Sequence, residues 1–320
     1  MSFAKNCKNE LSRVETNKNC CKIAELAAFV HLNGNLDISG DVTLKLETEN
    51  PAIARRVFRL FKLEFQQDME ILMRQKMRLH KSHTYSLSLS GKDVVKHVLT
   101  KLGLATEPFT LFSGVNQNVI GKRCCKRAYL RGAFLARGSI ANPEQSHHLE
   151  ISADYEGTVD QLISIMKNFG LKGGKIDRKK DFLLYIKDSE QICDFLNVIG
   201  AHKTLMDYEN IRIMKGMRNQ INRLVNCETA NLHKTAMASL RQAENIKLID
   251  EAIGLTRLPL KLQEVALKRV SHPEASLKEL GQMLNPPVGK SGVNHRLRKI
   301  EEIAESLRKG EEPVLESYTS

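Results

Sequence analysis

No apolar run in this sequence approaches the roughly 18 residues that a membrane-spanning helix requires. Residues 1–22 lack the basic, apolar, small-residue order of a secretory signal, so a cytoplasmic location is expected and no membrane is among the expected partners. The seven cysteines include no CxxC pair, and no cluster of Cys and His stands at zinc-ligand separations. Their odd number, without a signal, argues against a disulfide framework. Two vicinal pairs, Cys20-Cys21 and Cys124-Cys125, would make a metal site if they met across a symmetry axis; ordinary buried cysteines are the expectation, with no metal and no other cofactor. A phosphate-binding loop is missing as well. Gly289-Lys290-Ser291 would need a further glycine five residues before Gly289, where Leu284 stands, and no strand pattern precedes it. His147-His148 is too isolated for a metal site, and no small-molecule substrate is expected.

What the chain does have is size and positive charge. Its 320 residues, 42% hydrophobic and 27% charged, suffice for two or three soluble domains with cores of their own. The formal net charge of +12 is compatible with nucleic acid, with an anionic membrane or with neither, so its placement has to decide.

One stretch occurs twice: CCKIAELAAFVHLNGNL at residues 20–36 and CCKRAYLRGAFLARGSI at residues 124–140. At a fixed offset of 104 residues Cys20 falls on Cys124, Cys21 on Cys125, Lys22 on Lys126, Ala24 on Ala128, Leu26 on Leu130 and Gly34 on Gly138. Such self-similarity marks an internal duplication. Each copy reads as a helix closed by its glycine, in the left-handed conformation that glycine adopts at little cost. Ala27, Ala28, Gly132 and Ala133 would let the two helices approach backbone to backbone about a pseudo-twofold axis.

The elements that follow also repeat. After a lead-in helix at 3–14, the first copy offers strands at 36–39 and 42–48 and a helix from Pro51 with Ile53, Val57, Leu60, Phe61 and Phe65 at helical spacing. A strand at 69–79 alternates an apolar face (Met69, Ile71, Met73, Met77, Leu79) with a basic one (Arg74, Lys76, Arg78), a strand at 84–89 returns beside it, and a helix at 91–104 closes the copy. The second copy offers a strand at 148–153, a helix at 159–169, a hairpin over 175–179 and 182–187 turning near Lys180, and a helix at 189–199. Arg178 falls on Arg74 at the same offset, so equivalent strands are basic in both copies.

A duplicated αββαββα unit whose first helix runs LAAFVHLNG at 26–34 and LRGAFLARG at 130–138 resembles the LAGLIDADG homing endonucleases. The resemblance implies two saddle-shaped sheets astride DNA, with an acidic residue before each glycine holding the divalent metal that drives strand cleavage. Asn33 and Arg137 occupy those two positions here. An amide oxygen is a weak ligand for Mg²⁺ and a guanidinium repels it, so the fold is expected to persist without the cleavage.

Beyond the repeats, residues 203–231 read as a basic linking helix carrying Arg212, Lys215, Arg218 and Arg223, and residues 232–253 as a second helix stopped by Gly254. Helix patterns follow at 260–270, at 277–284 behind a Ser276/Glu279 capping box, and from Ser291 as cap, with Val293, Leu297, Ile300, Ala304 and Leu307 on its core face. The opposite face offers Asn294, His295, Arg296, Arg298 and Lys299. Residues 290–299 hold four Lys or Arg and no acid. Three helices with the last basic at its start describe a helix-turn-helix, whose final helix enters the major groove. The connection of about six residues through Asn285-Pro286-Pro287 is longer than the usual three or four, as in winged or sigma-factor-type variants.

A degenerate LAGLIDADG duplication followed by a helix-turn-helix resembles the WhiA family of bacterial sporulation and cell-division regulators, as do the runs NRLVNCETAN at 222–231 and SGVNHRLRK at 291–299. The expected fold class is α+β: a duplicated LAGLIDADG-like domain at 1–202 (repeats at about 15–104 and 120–202), a helical linker at 203–255, an all-α helix-turn-helix domain at 256–309 and a tail at 310–320. The resemblance implies a nucleoid-associated, non-enzymatic protein that binds double-stranded DNA and acts in transcription, chromosome segregation, cell division and sporulation, with RNA polymerase and its sigma factor as partners. Ser276, Lys278, Lys290, Ser291, Asn294, His295, Arg296, Arg298 and Lys299 are the candidate helix-turn-helix contacts. Arg74, Lys76, Arg78, Arg178, Lys180, Arg212, Lys215, Arg218 and Arg223 are the candidate phosphate contacts. Two other readings stay open: a residual metal-dependent endonuclease, and a repeat domain that binds protein while only the C-terminal domain touches DNA.

Overall fold

The structure, a computed structural model, describes residues 2–75, 83–106, 110–111, 114–178 and 181–311. They fall into two compact units, Met1–Gly216 and Met217–Ser320. No helix among the described residues is long and apolar enough to cross a membrane.

The first unit opens with helix α1 (Phe3–Leu11), followed by α2 (Asn19–Asn33), strands β1 (Gly34–Asp37) and β2 (Thr43–Thr48), α3 (Pro51–Phe65), β3 (Glu70–Gln75), β4 (His83–Ser90) and α4 (Lys92–Lys101). A short pair, β5 (Ala105–Thr106) and β6 (Thr110–Leu111), and the single turn α5 (Gln117–Ile120) lead to the second copy. It runs α6 (Arg123–Arg137), β7 (Gly138–Ile140), β8 (Leu149–Ala153), α7 (Glu156–Lys167), β9 (Gly174–Arg178), β10 (Asp181–Ile186) and α8 (Ser189–Ile199). The two four-stranded antiparallel sheets have the same order, β1-β2-β4-β3 and β7-β8-β10-β9. Register puts Leu46 opposite Leu87 and Ile151 opposite Leu184, all fully buried, so each sheet turns one apolar face to its helices.

The two repeats meet along α2 and α6. Ala24, Ala27, Ala28, Ala128 and Ala133 are buried there, and a Cβ on Gly132 would overlap the Glu25 carbonyl oxygen, which is why this crossing needs glycine. Glu25 is itself buried. Its carboxylate accepts from Arg56 Nε and Nη2 and from Arg131 Nε, while the guanidinium of Arg56 also donates to the carbonyls of Ser12 and Val14. At the opening turns of the two helices the four sulfurs of Cys20, Cys21, Cys124 and Cys125 lie within 4.8 Å of one another.

Several expectations are corrected. Gly34 and Gly138 are extended rather than left-handed, with φ of −77° at both. Their reason is steric: a Cβ would overlap the Val30 carbonyl oxygen at one and the Phe134 ring at the other. Strand β3 buries neither face, since it is the edge strand and α3 packs on β2 and β4; Ile71 is 44% and Met73 62% exposed. The linking region is one 52-residue helix, α9 (His202–Ile253), not two, because no glycine or proline interrupts residues 217–253. Its start is capped by the Glu10 carboxylate, which accepts from the backbone N–H groups of Lys203 and Thr204. Gly254, at φ 80°, ends it.

In the second unit a 3-10 turn (Leu255–Arg257) leads to α10 (Leu260–Ser271), α11 (Leu277–Gln282) and α12 (Lys290–Arg308). Ile246 and Ile249 of α9, Leu262 and Val265 of α10, Leu280 of α11, and Val293, Leu297, Ile300 and Ile303 of α12 form its core. The helix-turn-helix is thus a three-helix core closed by the end of α9.

Candidate nucleic-acid interface

The start of α11 is fixed by the capping box. The Ser276 hydroxyl accepts from the Glu279 N–H, and the Glu279 carboxylate accepts from the Ser276 N–H at 2.8 Å, which holds that carboxyl below its ordinary range. The following turn is pinned at both ends: Val288 N–H donates to the Gly281 carbonyl at 2.9 Å, and Asn285 N–H to Glu264 of α10 at 2.8 Å. A Cβ on Gly281 would overlap the Val288 carbonyl oxygen, so the turn lies directly against α11. Helix α12 begins two residues earlier than expected. Gly289 is its N-cap and Ser291, expected as the cap, sits in the first turn with its side chain outward.

Lys290, Ser291, Asn294, His295 and Arg298 are exposed on α12, as is Lys278 on α11. Arg296 and Lys299 are half-buried at the edges of the core face, so the basic face is narrower than the sequence suggested. No acid lies in the first turn of α12, whose unpaired N–H groups add partial positive charge. Glu301, further along, is held by Arg241 at 3.3 Å. A cleft of about 520 Å³ gathers Ser276, Lys290, Asn294 and Arg298 with Lys234 and Arg241 of α9. Behind it, buried Arg269 donates to the Ala275 carbonyl at 2.7 Å and fixes the approach to α11. The sequence reading missed Lys234, Arg241 and Arg269; the seven-residue spacing of the first two places them on one helix face and was the available signal.

The candidates in the first unit divide. Arg74 and Arg178 are exposed on β3 and β9, equivalent edge strands of the two sheets, with Arg178 3.9 Å from Glu150. Lys76, Arg78 and Lys180 lie outside the described residues. Arg212 pairs with Glu209 at 2.8 Å and Lys215 donates to the Pro143 carbonyl at 3.2 Å, so both are half-buried against the repeats; Arg218 and Arg223 are exposed. The four do not form one free stripe.

Asn33 and Arg137 are the last residues of α2 and α6, directly before the two glycines. Asn33 donates its amide to the Glu47 carbonyl, and Arg137 makes a two-toothed pair with Asp154, 2.7 Å on one arm. The Asp154 carboxylate at the second position is therefore already paired with a guanidinium.

Residues 19–105 match the WhiA N-terminal LAGLIDADG-like domain, 126–218 the WhiA LAGLIDADG-like domain and 221–304 the WhiA C-terminal HTH domain. The "Probable cell division protein WhiA" of Natranaerobius thermophilus is 66% identical over 307 residues, which is 96% of either chain. The chain belongs to the WhiA family. A similarly named relative from Bacillus licheniformis is 49% identical over 97% of this chain and 98% of its own. The crystal structure of full-length DUF199/WhiA from Thermatoga maritima aligns over 95% of this chain and 98% of that one, with TM-score 0.59 and 28% identity. The α+β class, with a duplicated LAGLIDADG-like domain before a helical HTH domain, holds for this member of the WhiA family. The WhiA HTH match covers every candidate on α11 and α12, and the two LAGLIDADG-like matches cover Asn33, Arg74, Arg137 and Arg178.

Proposed function

We propose that this chain is a sequence-specific DNA-binding regulator of transcription, acting at the nucleoid in cell division, chromosome segregation and sporulation, on a scaffold that no longer cuts DNA. The exposed, acid-free start of α12 on a helix-turn-helix core carries the reading. In the major groove Arg298 can bond guanine through two donors and Asn294 can read adenine, with His295 alongside. Lys278, Lys290 and Ser291 face phosphates, and Arg296 and Lys299 flank them. Arg74, Arg178, Arg218 and Arg223 neutralise backbone charge without reading sequence. The family's relatives are named as cell division proteins, which supports the cellular role. RNA polymerase and its sigma factor are the proposed partners at promoters. Loss of cleavage follows from Asn33 and from Arg137 bound to Asp154, because phosphodiester hydrolysis on Mg²⁺ needs hard anionic oxygens at those positions.

Mapping the genomic sites bound by the full chain yields the motif on which Arg298→Ala is then titrated. The substitution should cost about 1–3 kcal/mol and relax the preference at the contacted position. Unchanged affinity and specificity would contradict the placement of α12 on base edges.

One observation favours a second use of the repeat domain. Ile71 and Met73 are exposed on edge strand β3, an arrangement that suits pairing with a protein partner. A charge placed at Met73 that left DNA affinity unchanged while abolishing a protein contact would establish that reading.

A further inference from the structure

The vicinal cysteine pairs serve neither DNA reading nor the core in any way that requires sulfur. We infer that Cys20, Cys21, Cys124 and Cys125 bind one structural zinc ion, which joins the two repeats at the opening turns of α2 and α6. The pairs are separated by a hundred residues in sequence, yet all four sulfurs lie within 4.8 Å of one another, and those of each vicinal pair are 4.0 Å apart. A tetrahedral zinc with Zn–S bonds of about 2.3 Å places its sulfurs about 3.8 Å apart, so closure on an ion needs movements of less than about 1 Å. A cluster of several irons interposes its own sulfides and requires a wider cage. Four thiolates leave no open position, which makes the site structural rather than catalytic.

The surroundings carry a second, independent indication. Four thiolates around Zn²⁺ form a dianion, and both flanking helices present their positive ends to it. Their N-caps are Lys18 and Lys122, with no side-chain cap bond and no acid in either first turn. Lys22, paired with Glu64 at 3.2 Å, Arg123 and Lys126, which donates to Asn168, lie in the same turns. Serine or aspartate would ordinarily cap such helices; neither Lys18 nor Lys122 offers a side-chain oxygen to the first N–H groups. Cys21 and Cys125 are buried and Cys20 and Cys124 partly exposed, which leaves an ion a path from solvent. Binding exchanges the thiol protons for the metal and involves no change of oxidation state.

The full-length chain, purified under reductant, is loaded with equimolar Zn²⁺ and dialysed before metal analysis, and in parallel with Co²⁺ for absorption spectroscopy. The inference expects one zinc per chain, the intense charge-transfer and tetrahedral ligand-field bands of a four-thiolate cobalt site, and a higher melting temperature with zinc than with chelator. Cys20→Ser with Cys124→Ser should abolish the bands, and Cys227→Ser, which changes an exposed cysteine elsewhere, should leave them intact. If the double variant fails to fold, chelator competition and the melting shift of the unaltered chain still decide. No retained zinc, iron in its place, bands that survive the double substitution, or a disulfide among the four thiols in reductant would each overturn it.

Discussion

Arg131 of the second repeat donates to the carboxylate of Glu25 in the first at 2.9 Å, across the closest approach of α2 and α6. Arg56 binds the same carboxylate at 2.8 Å, so one buried acid satisfies two buried guanidiniums. Removing the acid leaves both cations in the interior with only neutral partners. Glu25→Gln is expected to cost about 3–5 kcal/mol of unfolding free energy, measured by urea denaturation of the full chain. A loss below about 1 kcal/mol would show that the network is incidental to stability.

The glycines that close α2 and α6 give a sharper steric test. Gly34→Ala puts a methyl group into the Val30 carbonyl and should destabilise by about 1–3 kcal/mol. Gly216→Ala, on an exposed turn of α9 with nothing within 4 Å of the added Cβ, should instead stabilise by about 0.5–1 kcal/mol. Thermal melts of both variants check the sign. A stabilised Gly34→Ala would refute the close approach.

Arg74 on β3 faces phosphate in the proposed complex, without a base to read. Arg74→Ala should weaken binding to every duplex alike and lower the salt slope of log K by about 1. Titrations at several salt concentrations, on a specific and a scrambled duplex, measure both quantities. A loss confined to one sequence would make Arg74 a base contact.

The parts of this fold legible in the sequence are those with a period or an offset. The 104-residue offset exposed the duplication because both copies keep the same helix, sheet and glycine programme, and the two sheets indeed share one strand order. The Ser276/Glu279 cap was legible because its two hydrogen bonds need those residue types at that spacing. Features made by distant residues were not. Glu25 finds Arg56 and Arg131 across sequence separations of 31 and 106, and no periodicity announces either pairing. The cysteine cluster was weighed and set aside for a related reason: ligand-spacing rules describe one segment, whereas here two adjacent pairs meet across the helix crossing. On β3 the alternation of apolar and basic residues was real, yet alternation does not reveal that a strand lies at a sheet edge, outside the strands on which α3 packs. Ser291 was taken for a cap because serine is a good one, while the chain begins α12 from Gly289 and leaves the hydroxyl outward.

The central claim is grip on DNA without scission, and one incubation tests it directly. The full chain is mixed at low ionic strength with a duplex carrying its mapped site, with Mg²⁺ or Mn²⁺ present, and the mixture is resolved once under native and once under denaturing conditions. The account predicts a retarded complex whose strands remain whole and whose retardation fades as salt is raised. Divalent-dependent strand cleavage, or no retardation at all, would contradict it.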